Sequence, residues 1–322
     1  MIPSATAAPA APAASRRFAT GVIAAMAAGL CWGMIFSVPV LLPGYSPLAL
    51  SAGRYLAFGL IVLLPAWLDR RRIAALTRAD WLRAGELALV GNLLYYAGIA
   101  FGAQHAGAPM TAAIIGTLPL VIAVSGNLVD KHIRWRRLAL PLLVIGAGLA
   151  AIHSREFAHA TIDAGGGDYL LGIAGALFAL FCWTWYPLRN AAWITRRPQL
   201  GMSTWATAQG LATLPLALAA FLALGLQPAN DWPLGPDPLR YVALMAALGL
   251  VASWLGTLFW NVASRELPAT LTGQLIVFET LFGLAFAYTL RGEWPDAVSL
   301  GGIALLVAGV VLGVRACRQG VA

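Results

Sequence analysis

Ten apolar runs, each close to 20 residues long, follow one another through this 322-residue chain: 18–41, 47–68, 83–103, 109–129, 137–153, 168–192, 201–225, 239–262, 269–290 and 296–315. A helix of about 20 residues rises 1.5 Å per residue and so crosses a hydrocarbon layer roughly 30 Å thick. The breaks between runs carry turn residues, as in LLPGYSP at 41–47, DAGGGD at 163–168 and NDWPLGPDP at 230–238. Only 11% of the residues are charged, 60% are hydrophobic and the mean hydropathy is +0.78, too little charge to cover a soluble surface. The expected fold class is an all-α polytopic membrane protein with ten transmembrane helices.

Charge placement orients the chain. The net charge is +8, but the basic residues sit in short clusters between apolar runs: DRRRIAALTR at 69–78, DKHIRWRR at 130–137 and ITRRP at 194–198. That is how cytoplasmic loops of a membrane protein are marked, and it argues against nucleic acid as a partner. With the N-terminus inside, the cytoplasmic segments hold seventeen Lys and Arg and the outer loops only Arg155, Arg240 and Arg291. Both termini are therefore expected in the cytoplasm, with the chain in a bacterial inner membrane. Residues 1–17 are Pro/Ala-rich and expected to be disordered. Ser15-Arg16-Arg17-Phe18 looks like a twin-arginine signal, but the long following run holds Trp32 and Pro39 and reads as a first membrane helix. Cys31, Cys182 and Cys317 give no disulfide framework.

The runs also repeat. GLCWGMIFSVPV at 29–40 returns as ALFCWTWYPLRN at 179–190, with Cys-Trp in the middle of both. A shift of 161 residues lays 101–114 over 262–275 and Gly148 over Gly309; for the first helix of each half the shift is 151. The reading is two five-helix repeats, 18–153 and 168–315, joined by an outer loop at 154–167 and followed by a cytoplasmic tail, 316–322. Five is odd, so the second repeat enters the membrane from the opposite side, an inverted repeat of the kind found in secondary transporters. Trp32 is then expected on the outer side of the midplane and Trp183 on the inner side.

The layout, with Trp32-Gly33, the Pro47…Arg54 pattern, Ala179, Cys182 and Trp183, and Glu279 followed by RGEWP at 291–295, resembles the drug/metabolite transporter superfamily in its ten-helix EamA-type branch. The family's Leu-Glu-Pro-like triplet reads Phe278-Glu279-Thr280 here, without the Pro, while the fourth run keeps Pro119 and has Leu118 in place of Glu. The resemblance implies an inner-membrane carrier of amino acids or other small metabolites, often outward. Trp260-Asn261-Val262 and the many aromatic residues are similar to the aromatic amino acid exporters of the superfamily.

Polar side chains at membrane depth are the candidate pathway. In the eighth run Ser253, Thr257, Trp260, Asn261 and Ser264 form one stripe at helical spacing. Asn92, Tyr95 and Tyr96 lie together in the third run, and Gln274 and Glu279 in the ninth. Thr111, Thr117 and Ser125 mark the fourth run, whereas the fifth and tenth are almost wholly apolar and read as scaffold. Glu279 lies about ten residues, or 15 Å, into its helix. A carboxyl at that depth is costly unless paired, protonated or wet, so it is a candidate for coupling to a proton. Arg54 comes to a similar depth, as a partner for Glu279 or for a substrate carboxylate. Trp32, Trp183, Trp185 and Tyr186 can stack on an aromatic or apolar solute. For each of these the alternative is plain packing: interhelical hydrogen bonds for the stripe, an ion pair for Glu279, snorkelling for Arg54 and interface anchoring for the rings. Glu86, next to Arg83, reads as an ordinary interface charge.

No catalytic, cofactor or metal site is expected. HExxH, GxSxG and the GxxxxGK[ST] loop are all missing from the sequence. His153, His159, Asp163 and Asp168 lack the fixed spacing of ligands. The expected function is a secondary carrier working by alternating access around a midplane site, its partners being a small-molecule substrate, the lipid bilayer and a coupling proton. The alternatives are an intramembrane enzyme, with His105 or Ser253 as candidates, and a sensor or assembly protein. Gly29…Gly33, Gly98…Gly102 and Gly309…Gly313 suit close helix packing, inside the monomer or across a dimer.

Overall fold

The computed structural model describes residues 11–42, 45–106, 108–130, 133–159, 166–225, 234–292 and 294–321, and among these it is helical throughout, with no strand. Among the described residues nine helices are long and apolar enough to cross a membrane: α2 Leu48–Leu68, α3 Arg78–Ala103, α4 Met110–Val129, α5 Trp135–Ile152, α6 Asp168–Arg196, α7 Met202–Gly225, α8 Pro238–Glu266, α9 Ala269–Leu290 and α10 Ala297–Cys317. The first run, α1, is the helix Ala11–Gly33, a 3₁₀ turn Met34–Ser37 and a last helical turn Val38–Leu41. This is an all-α polytopic membrane protein.

Local chemistry sets several ends. Ser46 caps α2, its Oγ accepting from the Ala49 amide at 3.2 Å, and Pro47 occupies the first helical position. Thr77 and Asp80 form a reciprocal capping box that starts α3 five residues before the apolar run. Gly292, with φ +64°, ends the α9 helix in the left-handed conformation. Several helices outrun their apolar stretches, three of them at the ends of a half. The first begins at Ala11, inside the segment expected to be disordered, the fifth reaches His159 and the tenth reaches Val321. Apolar length reports only the part that lipid touches, and Ala-rich sequence extends a helix at little cost.

The two halves of the sequence interleave. α1 packs along α8 and α9, and α6 packs along α3 and α4, so each half lends its first helix to the other. Between them α2 packs on α7, α4 on α9 and α5 on α10. All three glycine spacings are used inside the chain. Gly29 and Gly33 lie on the backbone of α9 at Phe278–Glu279 and Phe282–Gly283; Gly98 and Gly102 lie on α6 at Gly175, Ala176 and Ala179; Gly309 lies on Ile145 of α5. α5 and α10 carry exposed Leu140, Leu143, Val307 and Val311 and no cluster of buried polar groups, the arrangement of a lipid-facing scaffold pair.

The bundle is closed at one end. Phe18, Ile133, Leu138, Val314 and Cys317 share one apolar cluster, which brings the start of α1 and the end of α10 to the same face, here the terminal face. On that side α4 and α9 cross closely: Gly126 lies against Ala269–Thr270 and Gly273 against Ile122–Ala123. Among the described residues their other halves, Ala108–Gly116 and Val277–Arg291, make no comparable contact. The pair therefore splays towards the opposite face.

Candidate functional site

Two matching irregularities build the centre of the molecule. α3 contains a π-helical turn at Leu89–Leu94, and α8 contains one at Gly249–Leu255. The 161-residue shift between the halves carries Asn92 onto Ser253, so both turns present a polar side chain at the same repeat position. A wide turn of this kind loosens the backbone ladder and is frequent at functional sites. Each also seats an aromatic ring. Trp32 fits over Gly256 and its indole N–H donates to the Ala252 carbonyl at 2.9 Å; Tyr186 fits over Gly91. At either glycine a Cβ would collide with the ring.

Those rings meet in one cluster. Trp32 lies 5.3 Å from both Trp183 and Trp260 between ring centroids, and Trp183 lies 5.7 Å from Tyr95 and 5.4 Å from Tyr186. Trp32 and Trp183, expected on either side of the midplane, thus meet ring to ring at the centre. Each reaches the centre because its helix packs on the other half.

Beside this cluster stand two charges. The Arg54 Nε donates to Ser253 Oγ at 3.0 Å, and its guanidinium lies 5.1 Å from the Tyr55 ring. Among the described residues its two terminal nitrogens have no hydrogen-bond partner, and Glu279 makes no ion pair within 4 Å. The two groups are near enough to interact electrostatically, and Tyr55 and Tyr95 feel both. Glu279 is half-buried. The centre of the bundle thus holds one cation and one anion without an ion pair between them, among tyrosines.

On the terminal side the same helices are locked. Successive turns of α6 carry Trp183, Tyr186, Asn190, Trp193 and Arg197 down one face. The Tyr186 hydroxyl donates to Gln209 Oε1 at 2.8 Å and also meets the Thr257 side chain. Asn190 is fully buried; it accepts from Trp205 Nε1 at 2.8 Å and donates to Asn261 Oδ1 at 2.8 Å. The Trp193 indole donates to Asp80 at 3.2 Å, and Arg197 pairs with Asp80 at 3.1 Å. Glu86 accepts from Arg83, from Arg189 at 3.2 Å and from Trp185 Nε1 at 3.2 Å, so it ties α3 to α6 rather than merely facing the interface. Buried polar atoms without partners in this region include Trp260 Nε1, Asn261 Nδ2 and Gln209 Nε2.

The sequence-derived candidates therefore divide. Arg54, Ser253, Glu279, Tyr95 and Trp32, with Trp183, gather at the centre. Asn261, Thr257, Trp260 and Tyr186 belong to the closed layer on its terminal side. Asn92 donates to Thr213 Oγ1 on α7 at 3.0 Å and, with Tyr96, lines a mostly apolar cavity between α2, α3 and α7. Gln274 is brought to neither: it is fully buried and its Oε1 lies against Gly313 of α10. His105 is held on its own helix, its ring stacked on Phe101 and its Nδ1 2.9 Å from the Phe101 carbonyl. Among the described residues no group of three His, Cys, Asp or Glu is gathered for a metal; Asp163 lies outside them, and of His153 and His159 only the backbone is described. Sequence reasoning missed Tyr55, Asn190, Gln209 and Thr213. The i, i+4 spacing of Gln209 and Thr213 in an otherwise apolar run was the available signal for α7.

Comparison with known proteins agrees with this architecture. A family model described as the EamA-like transporter family matches residues 19–152 and 170–315. The chain is 47% identical over 306 residues to inner membrane protein YtfF of Escherichia coli, covering 92% of this chain and 95% of that one. It is 27% identical to an uncharacterized transporter of Archaeoglobus fulgidus, covering 88% and 93% of the two chains. One solved crystal structure of a protein superposes with a TM-score of 0.67 at 16% identity, over 91% of this chain and 97% of the other, a likeness in fold.

Proposed function

The chain belongs to the EamA-like transporter family and is a multi-pass membrane transporter, and from that premise we propose that it is a secondary carrier exporting small organic metabolites, amino acids first among them, across the inner membrane. The observation that carries this reading is the pair Arg54 and Glu279, opposite charges at membrane depth with no ion pair between them, in a bundle closed on one side. Charges in a bilayer are retained where they meet substrate, ions or water. A solute with a carboxylate for Arg54 and an amine for Glu279 meets both, and Glu279 is the residue that carries the coupling proton.

The clusters of Arg at the terminal face support reading that face as cytoplasmic, and on that reading the close crossing of α4 and α9 closes the inner side. Alternation then requires the α6 ladder to part from α3 and α8 while α4 and α9 close at their outer halves. Because each half lends its first helix to the other, the moving bodies are not the two halves of the sequence.

The test compares the solutes in spent medium of cells expressing wild type or Glu279→Gln at equal membrane levels. One metabolite accumulating outside with wild type alone supports export with Glu279 in the mechanism. If the variant exports at the wild-type rate from pH 6 to pH 8, proton coupling through Glu279 is abandoned. Profiles matching empty vector for both proteins sink the exporter reading.

A further inference from the structure

Next to the charged centre lies a cavity of about 280 Å³ between α2, α3 and α7. Ala52, Leu93, Ala97, Leu216, Ala220 and Leu224 give it an apolar lining. Ser51, Tyr55, Asn92, Tyr96 and Thr213 line it too, with Asn92 and Thr213 bonded to each other at 3.0 Å. Tyr55 is the residue next to Arg54 and its ring lies 5.1 Å from the guanidinium, so a mostly apolar sleeve has as one wall the tyrosine that adjoins the positive charge. It sits on the half of α2 and α3 that faces away from the closed terminal side, where α7 has left α3.

We propose that this cavity is a specificity subsite: it takes the apolar side chain of the transported solute while Arg54 holds the carboxylate. The inference rests on the transport reading above and adds to it the part of the solute that is selected. Six alanines line the sleeve where larger residues would fit, leaving room for a branched or aromatic group. The Asn92 amide and the Thr213 hydroxyl in the lining are already bonded to each other, which lowers the cost of an apolar group entering beside them. A lipid chain would use the same alanines and leucines, but the cavity's wall at Tyr55, next to the one guanidinium of α2, favours a solute whose own anion is a few bonds from its apolar group.

The test fills and empties the sleeve from two helices. Wild type, Ala220→Leu, Ala97→Leu and Ala220→Gly are reconstituted in proteoliposomes and assayed for counterflow of alanine, leucine and phenylalanine, which differ only in side chain. Burying a leucine-sized group changes an equilibrium by roughly tenfold to a hundredfold. Both filling variants should therefore lower the leucine-to-alanine and phenylalanine-to-alanine rate ratios by about tenfold, and Ala220→Gly should raise the phenylalanine ratio. If the ratios hold while all three rates fall together, or nothing changes in protein that unfolds at the wild-type temperature, the cavity is not a side-chain subsite and the transport reading stands. If wild type exchanges none of the three, the amino acid reading fails and takes the subsite with it.

Discussion

The crossing of α4 and α9 offers the sharpest test of which side is closed and by what. A Cβ placed on Gly273 would stand 2.7 Å from the Ala123 amide nitrogen and 2.9 Å from the Ile122 carbonyl carbon. Ordinary contact begins near 3.4 Å, so the overlap is about 0.7 Å with the nitrogen and about 0.5 Å with the carbon of one peptide bond, main chain that has no rotamer to give. Overpacking of this kind costs about 1–3 kcal/mol. Because the overlap exists only while the terminal side is shut, the cost falls on the closed state and raises the open one by roughly 5- to 150-fold. Ser264 is the reporter: it is 5% exposed and faces a gap of about 10 Å³ beside Trp260 and Thr272. With the three native cysteines replaced by alanine, Ser264→Cys is labelled by an impermeant maleimide from the terminal face in inside-out vesicles. Gly273→Ala should speed that labelling at least fivefold. Gly301→Ala, where nothing lies within 4 Å of the added carbon, should not. Equal labelling rates in Gly273→Ala and the parent, in protein of unchanged unfolding temperature, would refute the idea that this crossing holds the inner side shut.

Two further outcomes follow from the packed layers around the charged centre. Asn190→Ala strands the Trp205 indole N–H and the Asn261 carbonyl in a fully buried layer, and each stranded group costs about 1–3 kcal/mol. Asn261→Ala breaks one bond and removes an amide nitrogen that already lacks a partner, so it should lower the thermal midpoint less; the reverse order would show that the ladder does not run through Asn190. Gly256→Ala puts a methyl 2.6 Å from Trp32 Nε1, which should shift the tryptophan emission and depress transport, whereas Gly85→Ala meets nothing within 4 Å and should do neither. Wild-type emission and rate in Gly256→Ala would mean that Trp32 does not depend on its seat at the π turn.

The polar stripe of α8 shows how far periodicity reaches. Ser253, Thr257, Trp260, Asn261 and Ser264 do lie on one side of one helix, as their spacing requires. Yet they meet five different surroundings: Ser253 meets Arg54, Thr257 meets Tyr186, Trp260 joins the indole cluster, Asn261 bonds Asn190, and Ser264 faces a narrow gap. A stripe names a face of a helix and not the neighbour that covers it. Gln274 makes the same point more severely, since on α9 it stands one turn from Glu279 and yet packs on the scaffold helix α10.

What the sequence determined by itself was whatever depends on one segment and its solvent. Twenty apolar residues must span as a helix, Arg clusters and the repeat are written linearly, and a carboxyl at mid-span announces itself by its cost. What only the tertiary structure decided was everything that depends on which helices become neighbours. The exchange of α1 and α6 between the halves brought Trp32 against Trp183, left Glu279 and Arg54 facing without an ion pair, and made the side chains of α6 into a lock. Lipid is as apolar as leucine, so hydrophobicity alone does not choose a helix's partners inside a membrane. Close glycine contacts and directed hydrogen bonds choose them, and those act across distances that no local pattern records.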